Sequence, residues 1–432
     1  MPILRKLHGR ALTVDDIVWN VETALKAAQV ASAFTSCFGY IEGVKDFLEG
    51  TAGSISGIAA EGNTVTFTLT APYAYFLKNL ANFSFLPKHC LEDQDPLELY
   101  QSSFWSSPVT SGYYKFDQMV VGSYYTLSLN EYYTGTAPKI EKVVVNFTDN
   151  ALTALTSGAS DYAFFNSASE LDVANTVDGL TGYYNEYLFY RYFIFNMSGV
   201  DGHSNPTMQD VNVRKAIALA IDQEALAELF KGAATAQTSG VPVSDPDNNG
   251  TGLGYDPEQA KALLDEAGWD WNYTLRILYY NKDDTTKNVI EAVIYYLESI
   301  GMKVDAALSE DGTTDLFTTR SYDIGFKGTG PMDVYYSEFA STSETFKNIY
   351  GGDTSFDPLV SNLLSASKPA DVTAAKQALQ TMEMEKIYKV PLFTIGYMNY
   401  VNTNRVAIPE TVTDLGCPGH RVDVDFASWY IK

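Results

Sequence analysis

The 432-residue chain carries 53 carboxylates, 4 histidines and 3 cysteines, the side chains best able to move a proton, hold a metal or act as nucleophiles. They fall into no pattern with an assigned chemistry: H-E-x-x-H, G-x-S-x-G, the phosphate-binding P-loop and the full dinucleotide fingerprint are all absent from the sequence. His8, His89, His203 and His420 stand apart from cysteine or acid clusters at ligand spacing. Cys37, Cys90 and Cys417 lie too far apart for a metal knuckle or a disulfide framework; they read as isolated thiols, the alternative being one long-range pair formed outside the cell. A carboxylate pair suited to glycoside hydrolysis can arise anywhere among so many acids, so spacing does not locate one. One run does follow a cation-binding pattern. Asp245, Asp247 and Asn249 place oxygen ligands at alternate positions, Gly250 supplies the turn, and the twelfth position is Asp256, which makes this a candidate calcium loop. The competing reading is a solvated turn with Asp256 as the cap of the next helix.

The elements that must position these groups alternate between helix and strand. Thr13 and Asp16 form a capping-box pattern before a helix from 14 to about 28, and 62–69 alternates Val65, Phe67 and Leu69 against threonines as a half-buried strand. The stretch 142–147, a short helix 150–157 and 161–165 read as a strand-helix-strand unit expected to cross over into a parallel sheet. A second such unit comprises 273–280, an apolar helical stripe through Val289, Val293 and Leu297, and 303–308. Helices are also expected over 210–230, the second of two capped by Asp222, over 257–267 with Pro257 at its first position, and over 373–388, with a strand at 390–397. Two α/β regions flanking position 200 imply two lobes. The excess of 53 acids over 29 bases, a net charge of −24, excludes nucleic acid and polybasic membrane docking as functions. No apolar run is long enough to span a bilayer, and 1–16 lacks the apolar core of a signal peptide.

Several segments, in order, resemble the family 5 extracellular solute-binding proteins, the oligopeptide-, dipeptide- and nickel-binding components of ABC importers. Leu12-Thr13-Val14-Asp15-Asp16-Ile17-Val18-Trp19 is similar to "LTADDVVW", the stretch 108–116 to "GTGPYKF", and Asn130-Glu131-Tyr132-Tyr133 with the later Ala137-Pro138-Lys139-Ile140 to "NPNYWGGKPKLD". Ala154-Leu155 through Gly158 and Asp161 resembles "AL..GE.D". Phe195-Asn196, Asp210-Val211-Asn212-Val213-Arg214 and Ala220-Ile221-Asp222 resemble "FN…DVRVRQAI..AID". Tyr255-Asp256-Pro257 through Gly268-Trp269 resembles "YDPEKAKALLAEAGW", and Val390-Pro391-Leu392-Phe393 the late "IPLY" strand.

The resemblance implies an α/β fold of the two-lobed periplasmic-binding-protein type II, a clamp with an extra small subdomain. It assigns 1–108 to a remnant of that subdomain, 109–200 with 401–432 to lobe I, and 201–400 to lobe II. Such clamps close by hinge motion on a solute and do no chemistry. The expected function is extracytoplasmic capture of an oligopeptide, in the periplasm or as a cell-surface lipoprotein, and delivery to ABC permease subunits by a monomer without a cofactor. In peptide-binding members an aspartate in a "W..D..DP..F" segment pairs with the ligand's α-ammonium. Here 330–339 reads GPMDVYYSEF, so Asp333 fits that carboxylate, while Gly330 replaces the tryptophan and Tyr336-Ser337 the later pair. Tyr335, Tyr336 and Asn196 are the further ligand-binding candidates. An oligosaccharide-binding clamp, a nickel or haem binder, a secreted hydrolase with a carboxylate pair and a non-binding remnant are the alternatives. Against the family pattern the first strands of lobe I are expected to be missing, because the chain opens just before the "LTADDV" segment.

Overall fold

In a computed structural model, which describes residues 6–7, 10–28, 38–81, 83–198, 206–410, 415 and 426–432, Thr13 is extended ahead of helix α1 (Val14–Ala27). Its amide and hydroxyl donate to the Asp16 carboxylate at 2.9 and 2.8 Å, the capping interaction expected from the sequence. Val21 and Leu25 of α1 pack with Phe38, Ile41, Val44, Phe47, Ile55 and Phe76 in one buried cluster, and a hairpin of β1 (Ile58–Glu61) and β2 (Thr64–Phe67) lies beside it. An antiparallel meander follows, formed by β3 (Tyr114–Val120), β4 (Tyr124–Leu129) and β5 (Lys142–Asn146).

After β5 come helix α2 (Ala151–Thr156), with Asn150 accepting from the Thr153 amide at 2.7 Å, and strand β6 (Tyr162–Phe165). The parallel crossover expected for 142–165 does not form. β5 pairs with β4, and β6 belongs to a different sheet. A strand a dozen residues upstream is an antiparallel partner that closes a shorter loop than any crossover would, and local pairing wins.

The chain forms two compact units, Met1–Ala163 with Val401–Lys432, and Phe164–Tyr400. The first division falls at 163–164, whereas the sequence places it near 200. Strand β7 (Leu180–Phe195) hydrogen-bonds into the sheet of the second unit, which draws the residues before 200 into it.

That sheet also contains β8 (Ala234–Ala236), β9 (Thr274–Tyr279), β10 (Lys303–Leu308), β11 (Ile324–Thr329) and β12 (Lys389–Asn402), in the spatial order β8-β12-β7-β11-β9-β10. β9 runs parallel to β10 and β11, with helix α3 (Asp284–Ser299) as the crossover between β9 and β10, as its apolar stripe predicts. Asp283 caps α3 by accepting from the Thr286 amide at 2.8 Å. β11 runs antiparallel to β7 in the register Thr329 to Tyr190 and Gly328 to Arg191. Helix α4 (Met332–Ser337) follows β11, and α5 (Pro369–Lys386) precedes β12.

Candidate functional site

β11 ends at Thr329, and Gly330 and Pro331 hand the chain to α4. In α/β sheets, solutes bind beyond the carboxyl ends of parallel strands, where loops are released from the ladder. Asp333 stands in the first turn of α4 and is 8% exposed, while its neighbour Val334 is 42% exposed. The segment is therefore at the surface with its acid turned inward.

Two buried acids hold α4 from beneath. Glu383, on α5, accepts the Tyr335 hydroxyl on Oε1 at 2.5 Å, and the Tyr336 hydroxyl and the Gly240 amide on Oε2 at 3.0 Å each. Gly240 is needed for the close approach, since a Cβ there would stand 2.2 Å from the Tyr335 ring. Glu338, at the end of α4, accepts from Lys327 at 2.9 Å, Lys389 at 2.7 Å and the Tyr192 hydroxyl at 2.5 Å. The Lys389 ammonium also donates to the Tyr335 carbonyl at 2.8 Å. It sits 3.9, 4.4 and 4.6 Å from the ring centres of Tyr335, Phe339 and Tyr192, close enough for cation–π attraction.

Burial sets the charge states. It pulls Lys389 down to about 8, with Glu338 pulling the other way. Burial also works to raise Glu338, but Lys389 and Lys327 prevail and hold it below the ordinary carboxylate value. Glu383 is pushed above that value by burial, only partly offset by Tyr335, Gly240 and Tyr336. Burial drives Tyr335 and Tyr336 well above the usual phenol range, so both remain hydrogen-bond donors. This is a rigid seat for the Asp333 segment, with its polar groups spent on one another.

Of the residues singled out by sequence, the structure brings Asp333, Tyr335 and Tyr336 together on α4, with both tyrosines at 0% exposure. Asn196 lies elsewhere in the same unit. Its side-chain amide donates to the Arg320 and Tyr322 carbonyls at 2.9 Å each, and its backbone amide to the Asp323 carbonyl at 2.9 Å, which ties the end of β7 to the approach to β11. Glu338, Glu383, Lys327 and Lys389 escaped the sequence reading. Their only signal is a charge inside a run of otherwise buried residue types, as in Tyr335-Tyr336-Ser337-Glu338-Phe339 and Lys389-Val390-Pro391-Leu392.

The calcium pattern is occupied differently. Lys376 donates to both Asp245 oxygens at 2.9 and 2.7 Å and to Asp247 at 2.9 Å, and the Thr373 hydroxyl reaches Asp247 at 2.6 Å. Asn249 closes a turn onto Thr251, and Asp256 caps the helix Pro257–Glu266 by accepting from the Gln259 amide at 2.8 Å. The four expected ligands thus do not gather round one cation. Among the described residues no three His, Cys, Asp or Glu side chains are grouped to hold a metal. Cys90 is a free, half-buried thiol; Cys37, Cys417, His8, His203 and His420 lie outside the described residues. No described helix is long and apolar enough to cross a membrane.

The sequence profile of the bacterial extracellular solute-binding proteins, family 5 (middle), matches residues 8–350. A Brucella ovis protein described as an ABC transporter peptide-binding protein is 27% identical over 329 residues, which is 73% of this chain and 60% of that relative. The oligopeptide-binding protein OppA of Lactococcus lactis is 24% identical over 340 residues, 70% of this chain and 56% of OppA. The chain therefore spans about 60% of the length of the curated relatives it matches. The crystal structure of AppA from Clostridium difficile matches with a TM-score of 0.82 at 19% identity, covering 99% of this chain and 87% of AppA. At that identity the likeness is one of fold, and the fold is the α/β type of the two-lobed binding proteins expected from the sequence.

Proposed function

The chain belongs to the bacterial extracellular solute-binding proteins of family 5, and from that membership we propose that it captures an oligopeptide outside the cytoplasm and delivers it to an ABC permease. The protein works as a monomer that binds and releases without making or breaking bonds, in the periplasm or tethered at the cell surface. The observation that carries this reading is the continuous family match over 8–350, which includes the Asp333 segment at the carboxyl end of β11. Relatives described as peptide-binding support peptides over other solutes.

In this reading Asp333 receives the peptide's α-ammonium. Tyr335 and Tyr336 fix the helix that carries it, and Asn196 fixes the strand alongside. Calorimetric titration of the purified protein with tri- to nonapeptides, with oligosaccharides and a nickel–histidine chelate as controls, tests the assignment. One-to-one binding of intact peptides is expected, with Asp333→Ala costing about 2–5 kcal/mol of affinity. N-acetylated peptides, which lack the ammonium, should bind both proteins alike. Binding of sugar or chelate alone, cleavage of the peptides, or unchanged affinity in Asp333→Ala contradicts it.

A further inference from the structure

Arg191 lies on β7 between Tyr190 and Tyr192, and strand alternation turns it to the face opposite those two tyrosines. Its guanidinium carbon stands 5.0 Å from the centre of the Phe189 ring and 5.5 Å from that of Phe326. Nη1 donates to the Asn281 side-chain oxygen at 3.1 Å. Its register partner is Gly328, where a Cβ would come within 2.7 Å of Nη1, so the missing side chain is what lets the guanidinium lie there.

The hydrogen-bonding of this group is incomplete. Nε is buried and has no partner. Among the described residues the arginines that form ion pairs are Arg276, with Asp323, and Arg405, with Asp161. Asp283 is the carboxylate whose field Arg191 feels, but its oxygens already accept the Thr286 amide and hydroxyl at 2.8 Å each. Burial accordingly pulls the Arg191 guanidinium below its ordinary value, with Tyr280 and Asp283 opposing. A half-buried cation whose nearest carboxylate is already engaged elsewhere, and whose Nε is buried without an acceptor, is a standing cost to the fold, and an arriving anion reduces it. The planar five-donor fork of arginine matches a carboxylate in two-point geometry better than any other side chain.

The position is also that of a binding group. Gly328 is next to the last residue of β11, and Asn281 lies two residues past the end of β9, so Arg191 stands at the carboxyl ends of two parallel strands. We propose that Arg191, with Asn281 and Tyr280 beside it, is the contact for a carboxylate of the captured solute. The inference deepens the reading of this chain as a solute-binding protein and rests on it.

Two variants and two probe sets test it on the full chain. Calorimetry compares trialanine and its C-terminal amide, together with peptides bearing a glutamate. The wild type should favour the carboxylate-bearing member of a pair at least tenfold, Arg191→Gln should abolish the preference, and Arg191→Lys should retain part of it. An equal preference in Arg191→Gln overturns the assignment. If no peptide binds the wild type, the peptide reading fails, but Arg191 is still read by a second measurement. Succinate at constant ionic strength, with chloride as control, should raise the melting temperature of wild type and leave Arg191→Gln unmoved. Failure of succinate to separate the two proteins overturns the proposal. A purely structural arginine predicts instead that Arg191→Met melts lower than wild type. A binding arginine predicts that Arg191→Met melts at least as high and loses the succinate response.

Discussion

Glu383 accepts three hydrogen bonds at 0% exposure, which makes it the most consequential single residue beneath the Asp333 segment. Glu383→Ala strands the Tyr335 and Tyr336 hydroxyls and the Gly240 amide without partners, and each stranded buried donor costs about 1–3 kcal/mol. A loss of at least 3 kcal/mol in urea unfolding is therefore expected, with a smaller loss for Glu383→Gln, which keeps one acceptor. Lys389 gives a pH signature of the opposite kind. Its folded value of about 8 lies below the unfolded lysine value of 10.5, so between these the unfolded chain binds more protons and stability rises with pH. Tyr192, Tyr335 and Tyr336 are raised above 10 and cost nothing in that window until the unfolded chain begins to ionise its tyrosines near 10. Unfolding free energies measured from pH 8 to 10 should climb in the wild type and climb less in Lys389→Met. An identical slope in both proteins would remove Lys389 as the cause.

The elements carry a second set of consequences. The polar turn before the helix Pro257–Glu266 is closed by Lys376 on α5, whose ammonium satisfies Asp245 and Asp247 with side chains only 10–20% exposed. A lysine already seated between two carboxylates leaves a calcium ion little to gain, so calcium or terbium is expected to change neither melting temperature nor luminescence. Lys376→Ala should lose about 2 kcal/mol, short of the 3–5 kcal/mol of a fully buried pair. The hydrogen bonds from Thr373 and Lys376 hold Asp247 below its ordinary value, and that contribution is present above about pH 4 and disappears as pH falls further. The helix itself depends on its cap. Asp256→Ala removes the acceptor for the Gln259 amide and should cost about 1 kcal/mol, read as a fall in melting temperature.

At the scale of the whole molecule, the net charge of −24 and the Arg191 locus act on a solute at different ranges. The summed field governs encounter and is screened within about 10 Å at 0.1 M salt. Association rates of lysine-bearing peptides, followed by stopped-flow fluorescence, should therefore fall with added salt, while the discrimination at Arg191, made at contact, should change little. What could be read from the amino-acid order alone was whatever depends on neighbours. The caps at Thr13, Asp222 and Asp256, the crossover through α3 and the order of the family segments are all set by residues a few positions apart or by their linear order. The strands around 142–165 depart from the expected parallel crossover for the complementary reason, since which edge a strand joins is decided by competition among partners along the chain. Tyr335 and Tyr336 showed as aromatic candidates. That their hydroxyls meet Glu383, 48 and 47 residues away, and that Lys389 and Lys327 converge on Glu338 followed only from the packed structure. Hydrophobic burial is non-directional and does not specify which distant polar groups are carried inward together. Once they are inside, the low dielectric forces them to satisfy one another, and where one is left over, as at Arg191, the tertiary structure alone shows it.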